Sequence, residues 1–159
     1  MYCFEGRNMK DNHDSGVRVV PVSIDEWIRL TESGVNTVAK IVPEGNSMWP
    51  LIRSGKDMIE VMPADGPLKV NDIVVFRRAD GRAVVHRIYR LDGNTVQTYG
   101  DNCAAPDAPV DRSQVVGVVT RIHRGTLAFA PEKTAWMAGA IRTSTSGIRK
   151  IKNSIKKVR

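Results

Sequence analysis

The sequence predicts a mostly β domain, a coiled sheet or partly open barrel with a short helix before it and an amphipathic helix after it. Short apolar runs rich in Val and Ile recur between residues 57 and 130, separated by Gly-, Asp- and Asn-bearing turns. No apolar run reaches the ~20 residues that a membrane span requires. Aromatic residues make up only 6% of the 159, so the core must be built mostly from Val, Ile, Leu and Ala. That length suits one domain with a core of its own.

The elements follow from local chemistry. Residues 1–17 are polar and mixed in charge and read as a flexible arm. Ser23-Ile24-Asp25-Glu26 is a capping-box pattern, and Gly34 is a C-terminal stop. A helix is predicted over 24–33, packing Trp27, Ile28 and Leu30 and exposing Glu32. A strand at about 37–42 ends at Pro43, and Gly45–Pro50 is a turn or loop entry. Further strands are predicted at about 57–62, 72–77, 82–91 and 95–99. Ala79-Asp80-Gly81 and Asp92-Gly93-Asn94 supply two of the turns. A polar loop spans 100–111, and strands at about 114–123 and 126–130 join at Arg124-Gly125. Pro131-Glu132 opens a helical region. Three segments result: an arm at 1–17, a β domain at 18–131 and a basic helical tail at 132–159.

Charge is unevenly placed. Residues 141–159 carry seven bases and no acid, while the rest of the chain holds 17 of each sign. Ile148, Ile151, Ile155 and Val158 recur at helical spacing, with Arg149, Lys150, Lys152, Lys156 and Lys157 on the other faces. Such a basic amphipathic helix suits an anionic membrane surface. Packing on the domain, or a solvated tail, is the alternative. No aromatics interleave these bases and no helix-turn-helix precedes the domain, so nucleic acid is not expected as a partner. The polar N-terminus lacks the apolar core of a secretory signal, which points to the cytoplasm, with peripheral attachment through the tail. Two cysteines, Cys3 and Cys103, are too few for a disulfide framework or a four-ligand zinc site, and no cofactor or metal is expected.

Amide hydrolysis by a hydroxyl needs a base within hydrogen-bond reach and donors for the oxyanion. Gly45-Asn46-Ser47-Met48-Trp49-Pro50 offers a serine in a glycine-bearing turn. Ala83-Val84-Val85-His86-Arg87-Ile88 offers an imidazole on a strand, whereas His13 and His123 lie in the arm and beside a turn. Asp101 and Asp107 offer two loop carboxylates able to orient that imidazole. Taken singly, each feature also has an ordinary structural reading as turn or core chemistry.

In combination these segments resemble the signal peptidase and SOS-repressor peptidase superfamily. Residues 45–50 resemble its Gly-x-Ser-Met-x-Pro box. Val70-Asn71-Asp72-Ile73-Val74-Val75-Phe76 resembles its x-Gly-Asp-Ile-Val-x-Phe strand, with Asn71 in place of the usual Gly. Val85-His86-Arg87-Ile88 and Gly100-Asp101-Asn102 resemble boxes of the branch found in the endoplasmic reticulum, archaea and sporulating bacteria. Val115–Val119 resembles the closing strand, so the boxes stand in order from about 42 to 120.

That branch uses His where other members use Lys, and residues 77–98 contain no Lys. The resemblance implies Ser47 as nucleophile, His86 as base and Asp107 as the acid of the triad. Asp101 is left to orient the loop or His86. It also implies a shallow apolar groove in which an extended peptide adds as a strand and is cut after small residues. Met48 would line that groove, touch lipid or pack in the core. Gly45 stands where signal peptidases often carry an oxyanion-hole Ser, so the hole would rest on backbone N–H groups with Asn46 as helper. Lys56 interrupts the usual Gly-Asp pair.

The expected activity is therefore a serine endopeptidase acting on a peptide or protein precursor, faster as pH rises through the imidazole pKa near neutrality. The alternatives are a peptide-binding module that does not cut and, third, an autoproteolytic regulator.

Overall fold

The computed structural model describes residues 20–34, 37–136 and 140. Its sheet is curled into a half barrel, with one helix against it, as the patterning predicts. β1 (Val20–Pro21) leads into α1 (Ile24–Glu32). Then come β2 (Ala39–Ile41), β3 (Met58–Pro63), β4 (Ile73–Arg77), β5 (Ala83–Asp92) and β6 (Thr95–Tyr99). β7 (Val110–Asp111), β8 (Val115–Arg124) and β9 (Leu127–Phe129) complete the set. Strand order is β1-β2-β3-β8-β4-β5-β6-β7, with β9 also on β8. All pairings are antiparallel except β1 with β2.

Three register shifts bend this sheet, between Glu60 and Val61, Val75 and Phe76, and Ile88 and Arg90. An extra residue on one strand increases local twist, which lets the sheet curl on itself. α1 packs on the sheet, its Trp27 and Ile28 in one core cluster with Ala39, Ile59 and Val61. Ser23 caps the helix by accepting from the Glu26 amide at 3.2 Å, and Gly34 leaves it at φ +86°. Trp27 and Ile28 are fully buried, Leu30 only half so, and Trp27 Nε1 donates to the Thr37 carbonyl at 3.0 Å. Gly117 on β8 makes room for that indole, because a Cβ there would collide with the ring.

β1 and β7 were not expected; two residues cannot display a period. The predicted helical C-terminal region opens as a 3-10 turn at Pro131–Thr134, and Ala135, Trp136 and Ala140 are helical. The arm (1–17) and the basic segment 141–159 lie outside the described residues. Among the described residues no helix is long and apolar enough to cross a membrane.

Two strand edges stay open where the sheet curls. β5 pairs with β6 only from Arg87 onward, so among the described residues Ala83–His86 have no strand on that side. β2 ends at Ile41, and Val42–Glu44 continue without assigned secondary structure. Between these stretches and the start of α1 lies a cleft of about 940 Å³.

Candidate active site

Ser47 sits in the turn that follows β2, half-buried, on the wall of the cleft. Gly45 enters the turn at φ +88°, a conformation that glycine adopts without strain. The Ile52 amide donates to the Met48 carbonyl at 2.9 Å, and Trp49-Pro50 is cis. The turn is held from behind by Arg124, which donates to the Pro50 and Leu51 carbonyls at 3.1 and 2.9 Å. Arg124 is itself fixed by the fully buried Asp57 at 2.8 Å, which Arg53 bonds from the other side at 2.7 Å. Burial opposes the charge of Asp57, but Arg124 and Arg53 outweigh it and hold the carboxyl well below its ordinary range.

The loop after β6 ties the Ser47 turn to β5. The Asn102 amide donates to the Ser47 carbonyl at 2.7 Å, and Asn102 Nδ2 to the Asn46 carbonyl at 3.0 Å. Asp101 lies beneath, fully buried, and takes both ends of the equally buried Arg87 guanidinium at 3.0 and 2.8 Å. The carboxylate of Asp101 thus faces Arg87 rather than His86.

Asp107 faces His86. Its Oδ2 lies 2.6 Å from His86 Nδ1 and accepts from Thr98 Oγ1 at 2.7 Å, while Arg78 donates to Oδ1. The Asp107 amide and carbonyl are also bonded, to the Thr98 carbonyl at 2.9 Å and to Gln97 Nε2 at 3.1 Å. The imidazole is 3% exposed, and Cys103 Sγ lies 4.0 Å from its Nε2. Burial lowers the imidazole's affinity for a proton, but Asp107 and then Cys103 outweigh it and push the pKa up to about 9. Burial likewise opposes the Asp107 carboxylate, yet His86, Thr98 and Arg78 bring it down to about 2.

Gly100 is the meeting point. A Cβ on it would lie 2.5 Å from Cys103 Sγ, 2.8 Å from His86 Nε2 and 2.9 Å from the Ser47 carbonyl. The Ser47 turn and the imidazole therefore approach each other across a bare backbone. His86 Nε2 is not hydrogen-bonded to the Ser47 hydroxyl; apo sites are often loose in this way and tighten around substrate.

Of the expected oxyanion donors, the Gly45 amide is already taken by Ser54 Oγ at 3.0 Å. The Ser47 amide donates to no described group, and Asn46 is exposed at the turn. Met48 is 4% exposed; it packs in the core cluster and borders the cleft. Its neighbour Trp49 is half exposed.

Residues 23–120 match the Peptidase S24-like family. The chain belongs to that family. The S24-like match runs from the cap of α1 into β8 and so contains Ser47, His86, Asp101 and Asp107. The family is of serine-protease type, within the signal peptidase and SOS-repressor superfamily. No curated protein matches the chain.

Sequence reasoning missed three contributors to this S24-like site. Arg78 reaches Asp107 across 29 residues, with no local signal. Thr98 points at the carboxylate from β6, and only its position two residues after Val96, on the same strand face, hints at an inward side chain. Cys103 enters the sequence reading only as one of two cysteines too few for a disulfide framework or a zinc site. Among the described residues no three His, Cys, Asp or Glu side chains gather as a metal site.

Proposed function

We propose that this S24-like chain is a serine endopeptidase of the signal-peptidase type, with Ser47 as nucleophile, His86 as general base and Asp107 as its orienting acid. The observation that carries the reading is the 2.6 Å Asp107–His86 Nδ1 contact, which leaves Nε2 on the side of Gly100 shared with Ser47.

His86 Nε2 takes the Ser47 proton as the oxygen attacks the scissile carbonyl. Asp107 holds the other ring nitrogen as its donor and stabilises the imidazolium that forms. The oxyanion is received by the Ser47 amide, with Asn46 beside it. The imidazolium then passes its proton to the departing amine, and a water deprotonated by His86 releases the acyl group. The serine, imidazole and peptide ends are thereby restored, with one water consumed per bond cut.

The substrate is an extended peptide. It adds as a strand between Val42–Glu44 and Ala83–His86, where backbone edges stand open, and rests on Ile24, Ile41, Met48 and Ile52. A shallow apolar floor beside the serine favours small residues before the cut. Through 141–159 the chain would meet a precursor at an anionic membrane surface. Asp101 serves the fold of the loop through Arg87.

A second reading, a groove that binds peptide without cutting, is favoured by the occupied Gly45 amide, which removes one candidate oxyanion donor. A peptide library scored by mass spectrometry separates the two. The enzyme yields cuts after small residues that vanish in Ser47→Ala. Retained binding with no product, or product undiminished in Ser47→Ala, overturns the assignment.

A further inference from the structure

We propose that Arg78 is a positioning residue that sets the protonation of His86 by sharing Asp107 with it. This rests on the reading of His86 as the base.

The two oxygens of Asp107 are divided. Oδ2 serves His86 and Thr98, and Oδ1 serves Arg78. The loop does not need Arg78 for its place, since the Asp107 amide and carbonyl are already bonded to Thr98 and Gln97. What Arg78 adds is charge. A guanidinium keeps its proton across the whole working range, so it is a constant positive field beside a titrating ring. It neutralises part of the carboxylate that would otherwise hold the imidazole protonated, and it repels the imidazolium directly. Both effects favour the neutral base.

Among the described residues few other charges act at this point. Cys103 faces His86 from the loop at 4.0 Å. Arg87 follows His86 on β5, but its charge is met by Asp101. β4 contributes the Phe76 ring, 6.3 Å away between centroids, and β6 the uncharged Thr98. Asp25, Glu26, Lys40 and Glu44 border the same cleft without a bond to His86. Arg78 is the cation placed on the orienting acid, and 38% of its side chain remains exposed on the cleft wall.

The test is a histidine NMR titration of the full chain, with His86→Gln identifying the resonance among the three imidazoles. Arg78→Gln should raise the His86 midpoint on the order of one pH unit, and Arg78→Lys should leave it near wild type. The pH at which a fluorophosphonate labels Ser47 should move with it. A midpoint unchanged in Arg78→Gln, or shifted as far by Arg78→Lys, overturns the proposal. If Arg78→Gln does not fold, Arg78→Met is read the same way; a chain that folds only with a cation at 78 makes the role structural and also overturns it. The two readings fail separately. A wild type never labelled at Ser47, with the titration shift intact, removes the peptidase and leaves the tuning. Labelling without the shift does the reverse.

Discussion

As the proposed general base, His86 faces two demands that oppose each other. Its pairing with Asp107 is strongest when the imidazole is charged, whereas a general base must be neutral. With the folded pKa raised to about 9, above an ordinary value of 6.5, the neutral base forms on the alkaline side, not near neutrality as the sequence alone suggests. Acylation of Ser47 should climb with pH to a midpoint near 9. Stability should run the other way. The pair's contribution is complete below the unfolded imidazole pKa and is lost as pH rises through the folded one. Urea unfolding at about pH 6 and about pH 10 should show the fall, and His86→Gln should flatten it. Gly100 gives a steric counterpart. Gly100→Ala puts a methyl against Cys103, His86 and the Ser47 carbonyl at once. It should cut the Ser47 acylation rate on the order of 10²-fold, because displacements of about an ångström cost that much. The sequence identified both Asp101 and Asp107 without choosing between them by residue chemistry. Which carboxylate meets the ring depends on how the loop turns, and the bonds of Arg87 and Arg78 that fix this span 14 and 29 residues.

Among the elements, the Ser47 turn depends on support from distant strands. Asp57 precedes β3 and Arg124 ends β8, and together with Arg53 they clamp the turn through Pro50 and Leu51. Asp57→Ala leaves two arginines without their shared acid. Both keep a third or more of their side-chain surface in water, so the cost should be about 3 kcal/mol, the low end for a broken buried pair. Chemical unfolding measures it, and a loss under about 1 kcal/mol would mean that water replaces the carboxylate. The longer strands were legible to within a residue or two, apart from β2, whose predicted run was twice as long. Turns at Gly81, Gly93 and Gly125 mark strand ends by local chemistry, and each has positive φ. The curl was legible only as a class, since the shifts that produce it arise between strands.

Over the whole molecule, charge is separated from chemistry. The cleft belongs to a body with equal acids and bases, and the excess lies in 141–159. The 159-residue chain should bind phosphatidylserine vesicles, weaken steeply with salt and lose the interaction when the tail is removed, at about 1 kcal/mol per base near the surface. Equal binding to neutral vesicles would point to apolar contact instead. Residues 23–120 carry the family match, and the cleft is built within them together with Val22. The account stands on an alcohol and an imidazole meeting across Gly100. The direct test is mass-spectrometric mapping of a fluorophosphonate adduct on the 159-residue chain at alkaline pH. The expected adduct is on Ser47, absent in Ser47→Ala and strongly reduced in His86→Gln. An adduct on Cys103, or one on Ser47 that forms as fast without His86, would contradict it.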